Sequence, residues 1–545
     1  MYGNQQPLFV LAPEAERLHG NQTQIDSIDA ANAVSSIIKT TLGPNSMLKL
    51  MLDPMGGTVI TNDGNAILRE IDVTHPAAKA LIELSRTQDD EVGDGTTSVV
   101  LLASSILSST KKYLVEKIHP TYLVQGYYLA LSEILSYLDS IATKLDTNDS
   151  NVMLSILKAS LQTKFSEQWS NKISTLALRA CKLILVELSN TKKEIDIKRY
   201  IRIEKIVGGL LEDSQVIDGL VMEKDVTHSR MARKIVDPKI LLLDCPLEYK
   251  KGESMTNIEI SNADDFEKIL EQEEKEIKKM TQFIIKSGAN LVITEKGVSD
   301  LAAHYLMKAN VTVIRRAKKT EQNRLVKITG AKIINRCEEI TQASLGIKCH
   351  LFEVKKIDDS YWTFLTKCED PQACSVILRG GSKDTLNEVE RNLHDALCVA
   401  RCLFLDPRIV AGGGATEIEL SCHLDRLASK YSDSTTWGIQ AIAKALQIIP
   451  LILLQNSGGP VYTGLSKLIT LHQEGSNNKN FGVCGFTGDI VNTYEKQIYD
   501  TVTSKIQIIK SAVECCAMII RVDDILSGLS AQNKDKNSGI SDLAV

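Results

Sequence analysis

The chain has 545 residues, with 63 lysines and arginines against 68 aspartates and glutamates, for a net charge of −5. Its 43% hydrophobic and 24% charged residues are typical of a soluble globular protein, and its length suggests roughly three or four domains. The slightly negative charge gives no electrostatic basis for binding nucleic acid, so we expect no nucleic-acid partner.

Apolar runs in the sequence are too short for a membrane span. The strongest run, around 448–454, contains Pro450, whereas a span takes about 18 or more apolar residues. The N-terminal segment lacks the basic and apolar regions of a secretory signal, so we expect no membrane association and no export. The twelve cysteines include no Cys-x-x-Cys pair and no zinc-like spacing, which favours free thiols in the reducing cytoplasm.

Predicted elements in the first hundred residues alternate with glycine turns. They are a helix over 25–42, a hairpin with strands at 47–52 and 58–61, and helices over 66–71 and 76–85. Gly43-Pro44 ends the first helix, because glycine can adopt a left-handed cap and proline cannot continue a helix.

The stretch Gly93-Asp94-Gly95-Thr96-Thr97 has the composition of a phosphate site. The apolar run after it predicts a buried helix, whose first N–H groups are unpaired and carry partial positive charge. The glycines let the backbone approach an anion, the threonine hydroxyls can donate hydrogen bonds, and Asp94 can hold Mg²⁺. Taken alone, the pentapeptide fits equally well a surface turn that Asp94 or Thr96 caps before a core helix.

The rest of the chain changes character twice. A mainly helical region over 118–188 gives way to short apolar runs between helices, which predict a compact α/β domain. Its predicted elements are strands at 240–243, 291–293, 311–314 and 331–334 and a long helix over 264–285. Further on, we predict a strand at 373–379, helices over 383–403 and 415–427, and a small strand-rich patch near 481–491.

Four glycine turns at the ends of predicted elements can supply backbone donors or a carboxylate to a nucleotide. They are Thr41–Pro44, Asn62–Gly64, Gly93–Thr97 and Gly412–Gly414. The chain has neither the Gly-x-x-x-x-Gly-Lys-Ser/Thr motif of P-loop proteins nor the motif set of protein kinases. The residues alone therefore predict phosphate binding and leave hydrolysis open.

In this order, Thr-Leu-Gly-Pro, Thr-Asn-Asp-Gly, Gly-Asp-Gly-Thr-Thr, Asp-Ala-Leu and Gly-Gly-Gly resemble the motifs of the chaperonin family across essentially the whole chain. Within the family, the sequence is most similar to the group II chaperonin of the eukaryotic cytosol (TRiC or CCT), especially its gamma subunits. The segments that carry the latter similarity are 53–57, 63–71, 85–89, 224–228, 247–254 and 292–306.

The resemblance implies a multi-domain α+β/α fold with three nested domains. The implied segments are a mostly helical equatorial domain at 1–145 and 405–545, an intermediate domain at 146–214 and 372–404, and an α/β apical domain at 215–371. Residues 249–276 resemble the apical helical protrusion that forms a built-in lid, and 301–308 resemble a helix facing the cavity or, alternatively, a plain packed helix. Gly208-Gly209 and Gly380-Gly381 are candidate hinges or, alternatively, strand-end turns.

The resemblance also implies ATP and Mg²⁺ as cofactors. Asp63 and Asp395 match the carboxylates that position and deprotonate the attacking water, and Asp94 matches the Mg²⁺ ligand. The other implied nucleotide contacts are Leu42, Gly43, Pro44, Gly95, Thr96, Thr97, Ser98, Lys164, Gly413 and Asp500. Without the resemblance, Asp395 is a solvated helix carboxylate, and Lys164, matched to a lysine that senses the γ-phosphate, is a surface lysine.

Two positions depart from the family pattern. Asp500-Thr501 stands where the family usually has Glu-Pro, and Cys484 stands where it has Asn or Asp. Both positions are matched to contacts with the ribose and base, so we expect altered nucleotide affinity with the phosphate chemistry kept.

The function implied by the resemblance is ATP-dependent folding of cytosolic proteins, such as actin and tubulin. The implied partners are other chaperonin subunits in a double-ring hetero-oligomer and unfolded client proteins. The alternative is a structural ring subunit that binds nucleotide with little turnover, against which Asp63, Asp94 and Asp395 argue. A phosphotransferase acting on a small molecule lacks any acceptor motif.

Overall fold

A computed structural model describes residues 17–52, 56–146, 149–161, 167–189, 192–249, 263–474 and 478–526. Contacts divide the chain into two compact units, of which unit 1 comprises 1–165 and 406–545 and unit 2 comprises 166–405. The predicted division into five segments is finer than these two units and stays a prediction.

Helices make up most of unit 1. In chain order the helices of the protein are α1 (Asn21–Ile38), α2 (Gly64–Arg69), α3 (Pro76–Glu91), α4 (Thr96–Val115), α5 (Pro120–Ile141), α6 (Ser150–Leu161), α7 (Glu167–Ile184), α8 (Ile197–Tyr200), α9 (Ala263–Ser287), α10 (Asp300–Lys308), α11 (Lys319–Thr329), α12 (Lys383–Leu405), α13 (Ala415–Ala428), α14 (Thr436–Leu446), α15 (Ile448–Asn456), α16 (Val461–Glu474) and α17 (Val502–Ile519). Helices α1–α6 and α13–α17 belong to unit 1, and α7–α12 belong to unit 2.

Strands form small sheets in unit 1 and larger ones in unit 2. In chain order they are β1 (Arg17–His19), β2 (Lys49–Leu52), β3 (Thr58–Thr61), β4 (Thr143–Lys144), β5 (Val186–Ser189), β6 (Lys192–Glu194), β7 (Ile201–Val207), β8 (Gln215–Ile217), β9 (Leu220–Met222), β10 (Lys234–Val236), β11 (Ile240–Leu243), β12 (Leu291–Thr294), β13 (Thr312–Ile314), β14 (Ile333–Ile334), β15 (Cys349–Ile357), β16 (Ser360–Cys368), β17 (Cys374–Gly380), β18 (Arg408–Ala411), β19 (Phe481–Val483), β20 (Ile490–Asn492), β21 (Tyr499–Thr501) and β22 (Asp524–Leu526).

Helix α4 lies at the centre of the core of unit 1. It packs against α1 and α3 from the N-terminal part of the chain and against α14 and α17 from the C-terminal part. Four consecutive apolar residues, 99–102, are almost completely buried, as expected for a helix that is surrounded on all sides. Each such side chain contributes about 1.5–3 kcal/mol on burial, so the two ends of the chain are held together by one core.

Residues 436–456, which span α14 and α15, are long and apolar enough to cross a membrane by length and composition alone. In the structure 61% of their most apolar window is buried inside the protein. Ile439, Ile442 and Leu446 of α14 belong to the same core as α4. The segment is therefore a core element of unit 1.

The predicted elements at the start of the chain are confirmed, with shifted ends. Helix α1 begins at Asn21 and ends at Ile38, and the hairpin of β2 and β3 pairs antiparallel with Leu50 opposite Ile60. The prediction that the third helix ends at Ser85 was wrong, because α3 continues to Glu91. No glycine or proline interrupts the chain before Gly93, and Gln88, which is buried, extends the packed face of the helix.

Unit 2 contains a parallel sheet and an antiparallel sheet. The parallel sheet has the order β13-β12-β11-β14, which confirms the four predicted strands and the α/β character of this region. The antiparallel sheet, in the order β10-β15-β16-β9, includes the two nine-residue strands β15 and β16, which were not predicted. In this sheet Cys368 is the register partner of Cys349.

Strands β7 and β17 bring the two glycine pairs of unit 2 side by side. They pair in parallel along their whole length, from Ile201 opposite Cys374 to Val207 opposite Gly380. Beyond the strand end, the Gly208 N–H donates to the Gly380 carbonyl oxygen at 2.7 Å. The chain therefore enters and leaves the region 209–379 at one place.

Candidate functional site

The N-terminus of α4 begins directly after a left-handed glycine. Gly95 has φ 78°, and a Cβ at this position would collide with Ile508 of α17. Because the N-cap residue is a glycine, it supplies no side-chain cap to the helix. A helix start of this kind suits an anion, and the phosphate site and the turn capped by Asp94 or Thr96 both stay predictions.

Two carboxylates stand at this helix start. Asp94 Oδ1 accepts a hydrogen bond from the Gly95 N–H at 2.8 Å, and the Asp94 carbonyl oxygen accepts one from Gln88 Nε2 at 2.9 Å. Asp63 caps α2 by accepting from the Ala66 N–H at 3.1 Å. Its other oxygen accepts from Thr96 Oγ1 at 3.2 Å, so one side chain joins the starts of α2 and α4.

The remaining predicted residues of this stretch are positioned by close packing of the two helices. A Cβ at Gly64 would lie 2.6 Å from Thr97 Oγ1, so the glycine lets α2 touch α4. Thr97 is buried and Ser98 is half-buried in the first turn of α4. The structure therefore brings together Asp63, Asp94 and residues 95–98.

The loop Leu42-Gly43-Pro44 is fixed by residues from the C-terminal part of unit 1. Asn456 Nδ2, at the end of α15, donates to the carbonyl oxygens of Leu42 at 2.8 Å and Lys39 at 3.0 Å. Pro44 packs on Gly485, so closely that a side chain at 485 would collide with it. The loop between β19 and β20 thus supports the predicted nucleotide loop.

Gly413 lies in a second turn that leads into a helix. Its carbonyl oxygen accepts from the Val483 N–H at 2.8 Å, which ties the turn to β19. Gly414, with φ 79°, precedes α13, and no side chain caps this helix start through Gly414 in the described part of the chain. Two buried helices of unit 1, α4 and α13, therefore begin in the same way: each follows a left-handed glycine that provides no side-chain cap.

Asp500 belongs to an ion triad that the sequence analysis missed. It pairs with Val410 in the sheet of β21 and β18, and its Oδ2 lies 2.8 Å from Lys505 Nζ. The same ammonium group contacts Glu417 Oε1. Burial opposes the charge on Lys505, but the two carboxylates outweigh it and raise the pKa of Lys505. Glu417 lies three residues after the Gly-Gly-Gly turn, and Lys505 is five residues after Asp500, but the two segments are far apart in the chain, so the sequence carried no signal for the triad.

Cys484 occupies the first position after β19. Burial opposes the thiolate, but hydrogen-bond donors of Thr487 and Phe486 outweigh it and lower the pKa of the thiol. These donors favour a side chain at 484 that accepts hydrogen bonds or carries negative charge. They disfavour a side chain that donates.

The geometry of unit 1 does not test two of the predicted residues. Asp395 belongs to unit 2, where it lies half-buried on α12. Lys164 lies outside the described residues. The roles of both stay predictions.

The donors and acceptors of unit 1 fit a magnesium nucleotide. Two helix starts of this kind suit phosphate groups, and carboxylates beside one of them suit the hard oxygen-seeking Mg²⁺ ion. Asp500, whose side chain is 34% exposed, presents a carboxylate beside Gly412, and a carboxylate suits hydroxyl donors. The site therefore contains N–H groups suited to phosphate and carboxylates suited to Mg²⁺ and to hydroxyl groups.

Comparison with known proteins agrees with this reading. Residues 34–528 match the model of the TCP-1/cpn60 chaperonin family. The chain is 50% identical to T-complex protein 1 subunit gamma of Oxytricha granulifera, over 98% of this chain and 95% of that protein. It is 47% identical to the proteins of the same name from Schizosaccharomyces pombe, over 96% of this chain and 99% of that one, and from Homo sapiens, over 97% of each.

The relatives are aligned along nearly the whole length of both chains. The resemblance to gamma subunits predicted from the motifs is confirmed. The chain belongs to the TCP-1/cpn60 chaperonin family.

Proposed function

We propose that this chain is an ATP-hydrolysing subunit of a cytosolic, double-ring hetero-oligomeric chaperonin that assists the folding of other proteins, including actin and tubulin by family resemblance. The observation that carries the proposal is the helix start at Gly95 in a member of the chaperonin family, with Asp63 and Asp94 beside it. It combines donors for phosphate with carboxylates for a metal and a water.

In this proposal each part of the site has a separate task. The first turn of α4, with Thr96, Thr97 and Ser98, binds phosphate groups, and Leu42–Pro44, Gly413 and Asp500 hold the nucleoside end. Mg²⁺ held by Asp94 would offset the negative charge of the phosphates. Asp63, whose carboxylate is oriented by Thr96, positions the attacking water. Asp395 accepts its proton, and Lys164 senses the γ-phosphate.

Assembly into a ring is supported by two open-edged sheets in unit 1. In the hairpin of β2 and β3, Leu50, Leu52 and Ile60 are exposed by 69%, 72% and 54%. Among the described residues, the second sheet consists of β1 and β22. Unpaired edges recruit further strands, so we infer that the hairpin of one subunit extends the β1–β22 sheet of its neighbour.

Client binding is supported by the outer face of α10. Leu301, His304 and Lys308 are exposed on this helix, while Ala302, Ala303 and Leu306 are buried. An exposed face with one apolar, one imidazole and one ammonium group suits selective contacts with partly folded proteins better than a uniform apolar patch does. Residues 215–371 would act as the apical domain and 249–276 as its lid.

The alternative is a ring subunit that binds nucleotide with little turnover, against which the presence of Asp63, Asp94 and Asp395 argues. Asp500 is one methylene shorter than the Glu of the family pattern, and Cys484 replaces an amide or carboxylate. Both substitutions bear on affinity for the nucleoside and leave the phosphate end unchanged.

Asp395→Ala distinguishes the two functions. We expect the variant to bind ATP as tightly as the wild type, while the share of turnover contributed by this subunit in the assembled particle is lost. Asp384→Ala, an exposed carboxylate on the same helix, is the matched control and should hydrolyse normally. Native mass measurement should give a megadalton-scale particle for the wild type and for both variants. Unchanged turnover in Asp395→Ala supports the structural subunit, and a stable active monomer contradicts the ring.

A further inference from the structure

The triad of Glu417, Lys505 and Asp500 carries a net charge of −1 in the interior of unit 1. The side chains of Lys505 and Glu417 are exposed by only 11% and 6%, whereas Asp500 is exposed by 34%. A buried ion pair is costly to desolvate and is often no more stabilising than apolar residues of the same volume. Stability alone is therefore a poor reason for two acids around one buried lysine.

The geometry gives Lys505 a directional role. Its ammonium group contacts Oδ2 of Asp500 at 2.8 Å, which leaves Oδ1 for a second partner. The backbone on either side is rigid, since Asp500 lies in β21 and Thr501 caps α17 by accepting from the Ser504 N–H at 3.3 Å. A Cβ at Gly412 would lie 3.3 Å from the same Oδ2. The carboxylate is thus pinned against the turn that contains Gly413.

Glu417 fixes the lysine from the other side. Its Oε1 contacts Lys505 Nζ, while Oε2 is buried and has no hydrogen-bond partner among the described residues. An unsatisfied buried acceptor of this kind is destabilising. Such a cost is offset when the group serves a site, or when a bound water or ligand supplies the donor.

We propose that Lys505 and Glu417 are positioning residues that hold the Asp500 carboxylate in the orientation that recognises the vicinal hydroxyl groups of a ribonucleotide. The proposal rests on the nucleotide function above. Asp500 is shorter than the usual glutamate at its position, so the lysine fixes a carboxylate with less reach. A ribose diol offers two donors to a carboxylate that is held still.

The test uses the assembled particle and a readout specific for the sugar. This subunit is photolabelled with 8-azido-ATP and identified by mass spectrometry, with ATP or 2′,3′-dideoxy-ATP as competitor. For the wild type we expect ATP to compete about tenfold or more better than the dideoxy compound, as one charged hydrogen bond predicts.

The measured quantity is the ratio between the competition by ATP and the competition by 2′,3′-dideoxy-ATP. In Lys505→Met this ratio should fall towards one. Lys505→Arg, which keeps the charge, should retain part of it, and Glu417→Gln should lower it by a smaller factor. Lys510→Met, an exposed lysine on the same helix, is the matched control. The ratio is independent of how much protein folds, so a partly unstable variant still gives an answer.

Three results contradict the inference in different ways. Equal competition by both compounds in the wild type would show that Asp500 makes no contact with the ribose hydroxyl groups. An unchanged ratio in Lys505→Met, Lys505→Arg and Glu417→Gln would show that the triad has only a structural role. The proposed nucleotide function would then still stand. Absence of any specific labelling overturns the nucleotide function itself and this inference with it.

Discussion

Asp63 serves two structural purposes with its two carboxylate oxygens. One accepts from the Ala66 N–H and starts α2, and the other accepts from the Thr96 hydroxyl at the start of α4. A carboxylate held from both sides has little rotational freedom. It can orient a water with little reorganisation, which is what a positioning acid needs.

Asp94 should control the dependence of ATP binding on Mg²⁺. In Asp94→Ala we expect binding in the presence of Mg²⁺ to weaken by about tenfold or more, because one charged ligand to the metal is lost. Asp94→Asn is the matched control, since its amide oxygen still accepts from the Gly95 N–H while its charge is gone. ATP titrations with and without Mg²⁺ measure the effect. If Asp94→Ala keeps the metal dependence of the wild type, Asp94 only shapes the turn.

A buried carboxylate behind the site makes a prediction about pH. Glu419 is 3% exposed and lies 2.8 Å from His472 Nδ1, and it also accepts from the Tyr137 hydroxyl. Burial opposes its ionisation, but these two contacts outweigh burial and lower the pKa of Glu419.

A lowered pKa stabilises the fold only where the group is ionised. The contribution of Glu419 is complete above the pKa of about 4.3 for an unfolded glutamate, and it is lost as the pH falls through the lower pKa of the folded protein. Glu419→Gln should therefore cost about 1–3 kcal/mol at pH 7 and less at pH 3–4. Denaturant unfolding at both values, with the exposed Glu514→Gln as control, checks this. An equal loss at both pH values would contradict it.

At the scale of elements, the hairpin of β2 and β3 is the most exposed apolar structure in the described part of unit 1. Leu50 and Ile60 are directly opposite each other and both face solvent. Two exposed apolar residues on an open-edged hairpin mark an interface.

Charges on this hairpin should prevent assembly without unfolding the subunit. In the double variant Leu50→Lys and Ile60→Lys, native mass spectrometry should show loss of the large particle, while circular dichroism stays unchanged. Thr58→Lys, on the same hairpin and also exposed, should assemble normally. Assembly of the double variant at wild-type levels would rule out the hairpin as a subunit interface.

The sequence predicted the elements that are specified by local patterns and missed those that depend on distant contacts. Elements with strong local signals were found, such as the hairpin of β2 and β3 and the four parallel strands of unit 2. Strands β15 and β16 were missed because their stability comes from antiparallel pairing along eight register positions, not from a local apolar run.

The same distinction holds for the site. The glycine motifs marked the starts of α4 and α13, because a left-handed backbone needs glycine. Lys505 and Asn456 were missed because their partners are far away in the chain: Glu417 is 88 residues before Lys505, and Leu42 is 414 residues before Asn456. Such contacts leave no periodic trace in a single sequence.

At the scale of the whole molecule, the parallel pairing of β7 and β17 places Gly208 and Gly380 in hydrogen-bond contact. Glycine absorbs large changes in φ and ψ, so these two neighbouring glycines can act as a hinge for the part of the chain that they enclose. Helix α12, which carries Asp395, begins just after the second crossing. We therefore expect nucleotide state to change the orientation of the region 215–371.

Limited proteolysis checks this motion. Cleavage within 249–276 should be fast without nucleotide and slow with an ATP transition-state mimic, because closure would bring these segments of neighbouring subunits together. ATP drives this only if it binds the closed state more tightly. Gly208→Val should reduce the protection by restricting the crossing, since Gly208 has φ 95°. Equal cleavage in both states would exclude residues 249–276 from a nucleotide-driven lid.

The shared core of unit 1 also has a consequence for the synthesis of the chain on the ribosome. Helix α4 is surrounded by partners from both ends of the sequence, and α14 and α17 emerge only after residues 166–405 have been translated. At about 5–20 residues per second, this delay is roughly 10 to 50 s. During that time the apolar residues 99–102 lack half of their packing partners. We expect the nascent N-terminal part to need protection by another chaperone, so that a protein-folding subunit is itself a demanding folding client.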